Sequence, residues 1–311
     1  MKAKVIIGRC MSRVLFAILY ILDIFGIYRI TGNITYTAIG AIAILAILAI
    51  QMGISLLMLK AHPIKNSSRG DADYLQSCMN EVMNRSVASG RKRCKVYLWI
   101  TENESLNSYA VGWNIIVNKS MLRLGDRKML EASLAHQLSH VYNFDTVFAA
   151  LLKLNVFVGM CALCFSLFGT AVVIILIVAL IFGLIFSSWI GFTVGAIFGK
   201  ALKWCFGLIT RAYYYTCKAF SSFLYRRQEY EADRFLAFLG KDYSRAMVNL
   251  FRLEERMERH AVQTSWIEDM LNDSPSHYRR TVQFERIEEE IERLELERRS
   301  YEVMPYENPF V

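Results

Sequence analysis

The chain has 311 residues, 54% of them hydrophobic, with a mean hydropathy of +0.28 and a formal net charge of +8. That composition excludes an ordinary soluble globular domain and a disordered chain. The positive charge gathers at the margins of apolar blocks rather than on one aromatic-bearing patch, so nucleic acid is not expected as a partner.

Lys2, Lys4, Arg9 and Arg13 lead into a first apolar block, residues 14–30, whose one acidic residue is Asp23. Further blocks occupy residues 38–59, 155–186 and 189–206. About 20 apolar residues suffice to cross a bilayer, so each block predicts a transmembrane helix. The first lacks a small-residue cleavage pattern and is followed at once by the second, so it reads as a span and not as a signal peptide. Lys60, Lys65 and Arg69 follow the second block, and Lys200, Lys203, Arg211, Lys218, Arg226 and Arg227 cluster at and after the fourth. The connections at Arg29 and at Ser187-Ser188 carry little or no charge. This asymmetry predicts four spans of the cell membrane, with both termini and the polar segments cytoplasmic and the lipid bilayer as a partner. Acidic pairs inside the spans are lacking, which argues against a transporter.

The polar segments supply the remaining elements. An amphipathic helix is predicted over 71–88, ending near Gly90. Strands are predicted over 95–100 and 108–117, the second interrupted by Gly112. A helix from about 127 to 145 follows a cap at Gly125-Asp126. Helices are also predicted over 226–239, 245–260 and 281–299, the last read as a solvated helix dense in Glu and Arg. Residues 301–311, with Pro305 and Pro309, read as a loose tail. The organisation expected is a membrane hairpin (1–60), a polar part (61–154), a second membrane hairpin (155–210), a second polar part (211–298) and a flexible tail (299–311). Seven scattered cysteines (Cys10, Cys78, Cys94, Cys161, Cys164, Cys205 and Cys217) do not form a disulfide framework. Cys161 and Cys164 read as small packing residues of an apolar helix.

His136-Gln137-Leu138-Ser139-His140 carries the chemistry. Histidines four apart on a helix share one face, so both imidazoles can reach one metal ion. Two ordinary histidines have the same spacing, and the surrounding motifs decide between the readings. In the zinc-protease pattern His-Glu-x-x-His, the glutamate activates water. Gln137 stands there, and its amide cannot take up a proton near neutral pH. A zinc site with two histidines needs a third protein ligand, for which Glu229 is the candidate. Asp233, one turn later, is placed to orient a ligand histidine.

The run Leu134-Ala135-His136-Gln137-Leu138-Ser139-His140 resembles the Leu-Ala-His-Glu-Leu-Ser-His run of HtpX-like membrane metallopeptidases, relatives of the CAAX prenyl endopeptidases. Arg226-Arg227-Gln228-Glu229-Tyr230-Glu231-Ala232-Asp233 is similar to their Arg-x-x-Glu-Tyr-x-Ala-Asp motif, and Asn107-Ser108-Tyr109-Ala110-Val111-Gly112 to their Asn-Ala-Phe-Ala-x-Gly segment. The likeness runs from about residue 71 to about 287. It implies a mainly α membrane protein with four transmembrane helices and a cytoplasmic zincin-like α+β protease domain with a small sheet. One zinc ion would be held by His136, His140 and Glu229, supported by Arg226 and Asp233. Asn107, Tyr109, Ala110 and Gly112 would lie on an edge strand that binds a protein or peptide substrate. Ser276-His277 matches part of a Thr-His-Pro-Pro motif, but Tyr278-Arg279-Arg280 follows where prolines are usual. His277 is then either an oxyanion stabiliser or a surface histidine. His62 and His260 do not read as ligands. The activity implied is a zinc endopeptidase, inactivated in this chain by Gln137. One isosteric change in an otherwise complete site points to an inactivating substitution; the alternative is a natural pseudoprotease that binds membrane peptides without cleaving them.

Overall fold

A computed structural model of the chain describes residues 11–257 and 276–303. Among the described residues, one compact unit comprises 11–150, 225–257 and 276–303, and the other 151–224. The tail beyond 303, His260 and Cys10 lie outside the described residues.

The first unit opens with helices α1 (Met11–Thr31) and α2 (Ile34–Met58), joined by a turn through Gly32. Asn33 starts α2 by accepting hydrogen bonds on Oδ1 from the N–H groups of Thr35 (2.7 Å) and Tyr36 (3.4 Å). Both helices are long and apolar enough to cross a membrane. They expose large apolar side chains, such as Phe25 and Ile42, which suit lipid and not water.

Strands β1 (His62–Pro63), β2 (Tyr97–Thr101), β3 (Ser108–Val111) and β4 (Asn114–Asn118) form one sheet, with α3 (Arg69–Ala88) between β1 and β2 in the chain. The sheet order is β1-β2-β4-β3; β2 and β4 run parallel, the other pairs antiparallel. The single strand expected over 108–117 is thus a hairpin. Its apolar alternation runs on through the turn, but Gly112 adopts φ +60, a conformation that glycine enters without Cβ strain, and reverses the chain. β3 is left as an edge strand.

After α4 (Lys119–Arg123) comes α5 (Arg127–Asn143), which packs against α1, α3, β3, β4 and α8 (Lys241–Met257). Ala132, Ser133, Ala135 and Ser139 let neighbours approach it from several sides, while Leu134 and Leu138 are fully buried. Burial of each such leucine contributes about 1.5–3 kcal/mol. Buried Glu131 is held by Arg127 (2.7 Å) and Lys128 (2.8 Å) and accepts from the Tyr243 hydroxyl (3.3 Å). The helix expected to run to residue 145 stops at Asn143. Phe144 takes a left-handed φ of 65, and Asp145 begins the next helix, α6 (Asp145–Ile185).

Helix α7 (Ser188–Leu239) brings the chain back, and α9 (His277–Val303) closes the described fold. Two expectations fail on α9. It is not simply solvated: Arg280, Phe284 and Ile287 are buried and Ile291 packs against the core, a helical stripe hidden among the charges. It also continues to Val303, beyond the point where a loose tail was expected to begin.

The second unit is a helical hairpin of α6 from Leu151 and α7 to Leu224. Its close packing follows from Gly191, Gly195 and Gly199, spaced four apart. A Cβ on Gly191 would lie 2.5 Å from the Ala179 carbonyl oxygen. Small residues at this spacing let apolar helices approach where lipid supplies no hydrophobic drive. Cys161 and Cys164 are free thiols exposed on α6, not packing residues as their apolar setting suggested.

Candidate metal centre

The site is built around α5. Asp126 starts this helix by accepting from the N–H groups of Lys128 (2.9 Å) and Met129 (3.1 Å). One face then carries His136 and His140, both buried, with ring centroids 4.8 Å apart and planes at 83°. Glu229 on α7 meets them well beyond the apolar block at 189–206. His136 Nε2 lies 3.2 Å from His140 Nε2 and 3.2 Å from Glu229 Oε2, and His140 Nε2 lies 3.4 Å from Glu229 Oε1.

These three ligand types and spacings fit a metal ion. Tetrahedral zinc with bonds of about 2.0–2.1 Å holds its ligand atoms roughly 3.3–3.4 Å apart. The outer contacts agree. His136 Nδ1 faces Asp233 Oδ1 at 3.0 Å and His140 Nδ1 faces Asp145 Oδ2 at 2.9 Å. Each imidazole thus donates its Nδ1–H outward and turns an Nε2 lone pair inward, toward the other and toward a carboxylate. Such a buried set of acceptors needs a cation or added protons at its centre.

The charges of these side chains follow that logic. Burial disfavours an imidazolium at His140, but hydrogen bonds to Asp145 and Glu229 outweigh it and raise its pKa to about 10. Burial also works against the Glu229 carboxylate. The Arg280 guanidinium and the two imidazoles override it and hold Glu229 well below the usual carboxylate range.

Arg280 is a residue that the sequence reading passed over as a mere departure from a proline pattern. It is buried on α9, and its Nε and Nη2 reach Asp233 at 2.8 and 2.6 Å. Its Nη1 lies 3.3 Å from Glu229 Oε2. The signal that could have found it is the stripe 280, 284, 287, 291, which turns Arg280 inward. Asp145 also escapes the sequence, where it reads as the end of the metal helix and not as the start of the next.

Gln137 is the one residue between Leu130 and Asn143 on α5 that is not buried, so the helix opens there toward β3. Its Nε2 donates to the Ser108 carbonyl at 3.0 Å. The Asn118 N–H bonds to the Asn107 carbonyl, so by strand alternation Tyr109 and Val111 face β4 while Ser108 and Ala110 turn main-chain groups to the free edge. Gly112 sits at the hairpin tip, its N–H donating to Thr146 Oγ1 at 3.0 Å. Asn107 is exposed just before β3. The structure therefore gathers the two histidines, Glu229 and Asp233 at one site, and Gln137, next to His136 on α5, meets the 107–112 edge at Ser108. His277 stands differently: it stacks on Phe251 at 5.0 Å and its Nε2 is 3.5 Å from Glu254. Arg226 is half-buried on α7, three residues before Glu229.

Comparison with known proteins places the chain. Over 112 residues it is 31% identical to the protease HtpX homolog of Dictyoglomus thermophilum, covering 33% of this chain and 35% of that one. Over 105 residues it is 30% identical to the protease HtpX homolog of Dictyoglomus turgidum, covering 31% and 33%. The matched segment spans about a third of the length of either relative. A solved structure, S. mikatae Ste24p, aligns with 85% of this chain and 61% of its own, at 14% identity and a TM-score of 0.49. The family model Peptidase family M48 matches residues 70–288, a stretch that holds His136, His140, Glu229, Asp233 and Arg280; the chain belongs to peptidase family M48.

Proposed function

We propose that this protein is an integral membrane zinc endopeptidase that takes protein or peptide substrates at the cytoplasmic face, arrested in this chain by Gln137. The observation that carries the proposal is the triangle of His136 and His140 on α5 with Glu229 on α7, beside Gln137, which meets the edge strand at Ser108. Zinc bound there would polarise a scissile carbonyl and acidify water. The residues of the chain do the rest. Asp145 and Asp233 fix the imidazole tautomers, and Arg280 keeps Glu229 and Asp233 ionised together. The free edge of β3 would pair an extended substrate through the main chain of Ala110.

Gln137 blocks the proton transfer that hydrolysis requires, because its amide accepts no proton at neutral pH. Its N–H instead holds the Ser108 carbonyl. A glutamate carboxylate could not donate that bond and would be repelled from the oxygen, which frees it to face the metal. The same contact favours a second reading, a natural pseudoprotease in which Gln137 braces the strand and peptides are held uncut. Measuring zinc content and peptide capture for the chain as it stands, beside cleavage by Gln137→Glu, separates the two. Cleavage by Gln137→Glu supports the protease reading, and capture without cleavage by either form supports the pseudoprotease.

A further inference from the structure

The first membrane helix reaches into the metal centre. Ser12, in the first turn of α1, is 5% exposed, and its hydroxyl donates to Asp145 Oδ1 at 2.5 Å. Gln228 Nε2 donates to the same Ser12 oxygen at 3.2 Å. That second bond sets the direction of the chain: an oxygen receiving the Gln228 N–H turns its own hydrogen toward Asp145. The other carboxylate oxygen, Asp145 Oδ2, accepts the Nδ1–H of His140. One continuous path therefore runs from Gln228 through Ser12 and Asp145 to His140. Gln228 directly precedes Glu229 on α7, and Asp145 opens α6, so Ser12 ties the helix that carries Glu229 to the carboxylate that holds His140. Neighbouring contacts fix the corner: Arg13 donates to the Tyr142 carbonyl and lies over the Phe144 ring at 5.4 Å, and Trp113 meets that ring edge-on at 5.5 Å.

We infer that Ser12 is a positioning residue for His140, acting through Asp145, and that the first membrane helix is thereby a working part of the metal centre and not only an anchor. This rests on the metal reading proposed above. A buried carboxylate oriented by one partner only is free to turn, and the imidazole it holds turns with it. Loss of the Ser12 hydroxyl should therefore loosen His140 without removing any ligand.

The test uses the full-length chain in detergent or nanodiscs. Zinc affinity is read by chelator competition and ligand geometry by the visible spectrum of the cobalt-loaded protein. Ser12→Ala should weaken zinc binding about 10-fold, the low end of the range for disturbing the outer partner of a ligand histidine, here Asp145, and should alter the cobalt bands. Ser12→Thr, which keeps the hydroxyl, should restore both. Tyr20→Phe removes the bond from the Tyr20 hydroxyl to the Ala41 carbonyl in the same helix hairpin, and should leave both unchanged. Wild-type affinity and an unaltered spectrum in Ser12→Ala would overturn the inference while leaving the metal site standing. Equal losses in Ser12→Ala, Ser12→Thr and Tyr20→Phe would overturn it as general loosening. A wild-type chain that binds no zinc would overturn the metal reading and this inference together.

Discussion

Arg280 grips Asp233 with two nitrogens, at 2.8 and 2.6 Å, and both side chains are buried beside His136. Removing one partner leaves a buried charge uncompensated, which typically costs about 3–5 kcal/mol. Arg280→Ala should therefore destabilise the metal-free protein by about that amount and weaken zinc binding through His136 and Glu229. Arg280→Lys should recover only part, because an ammonium cannot match the planar two-point contact. Thermal unfolding and chelator competition on the three forms check this; wild-type stability in Arg280→Ala would contradict it.

Metal binding should release a proton. With its pKa raised to about 10, His140 carries a proton in the metal-free centre at neutral pH, and the ion must displace it. Zinc affinity should therefore climb as pH rises toward 10. Calorimetry in buffers of different ionisation enthalpy should find about one proton released per ion at pH 7. The sign for folding is opposite. A raised histidine pKa stabilises the metal-free fold fully below the unfolded value near 6.5, and that contribution fades as pH rises through about 10. Metal-free protein should thus melt higher at pH 6 than at pH 10, with the gap reduced in His140→Gln.

Glu131 contributes to acid lability. Burial opposes its charge, but Lys128 and Arg127 outweigh burial and hold its pKa below the ordinary value of 4.5. A lowered carboxylate pKa contributes stability that is present above 4.5 and lost as pH falls through the folded value. Melting temperature should fall between pH 5 and pH 3 in the wild type. Glu131→Gln should be less stable at neutral pH and show a flatter decline; an identical decline in both would assign the acid lability elsewhere.

Proline separates the free edge of β3 from its paired side. Ala110 turns its N–H to the free edge, where proline is tolerated without loss of a ladder bond. Ala110→Pro should keep the fold and zinc content while lowering peptide capture. Val111 faces β4, so Val111→Pro should disturb the hairpin itself. Undiminished capture by folded Ala110→Pro would remove the edge strand from substrate binding.

Much of the architecture was legible because it depends on composition and periodicity. Four long apolar runs became four helices able to cross a membrane, and the His-x-x-x-His face and the Glu229 motif converged to within 3.4 Å. What escaped depends on neighbours distant in the chain. Gly112 reverses an alternation that reads as one strand. Arg280 looked like one charge among many until the buried face of α9 was visible. Asp145 became informative only once the left-handed Phe144 had turned it back toward His140. The glycine stripe 191, 195, 199 was readable at four-residue spacing but is hidden by an otherwise uniform apolar run.

In the proposed reading the metal centre lacks only a proton acceptor at position 137. The direct measurement compares cleavage of a membrane-protein and peptide substrate panel by the zinc-loaded chain and by Gln137→Glu, with and without chelator. The account predicts at least a roughly 10²–10⁴-fold gain for Gln137→Glu, abolished by chelator and falling at acid pH, with unchanged zinc content. A folded, zinc-loaded Gln137→Glu protein that cleaves nothing in the panel would contradict it.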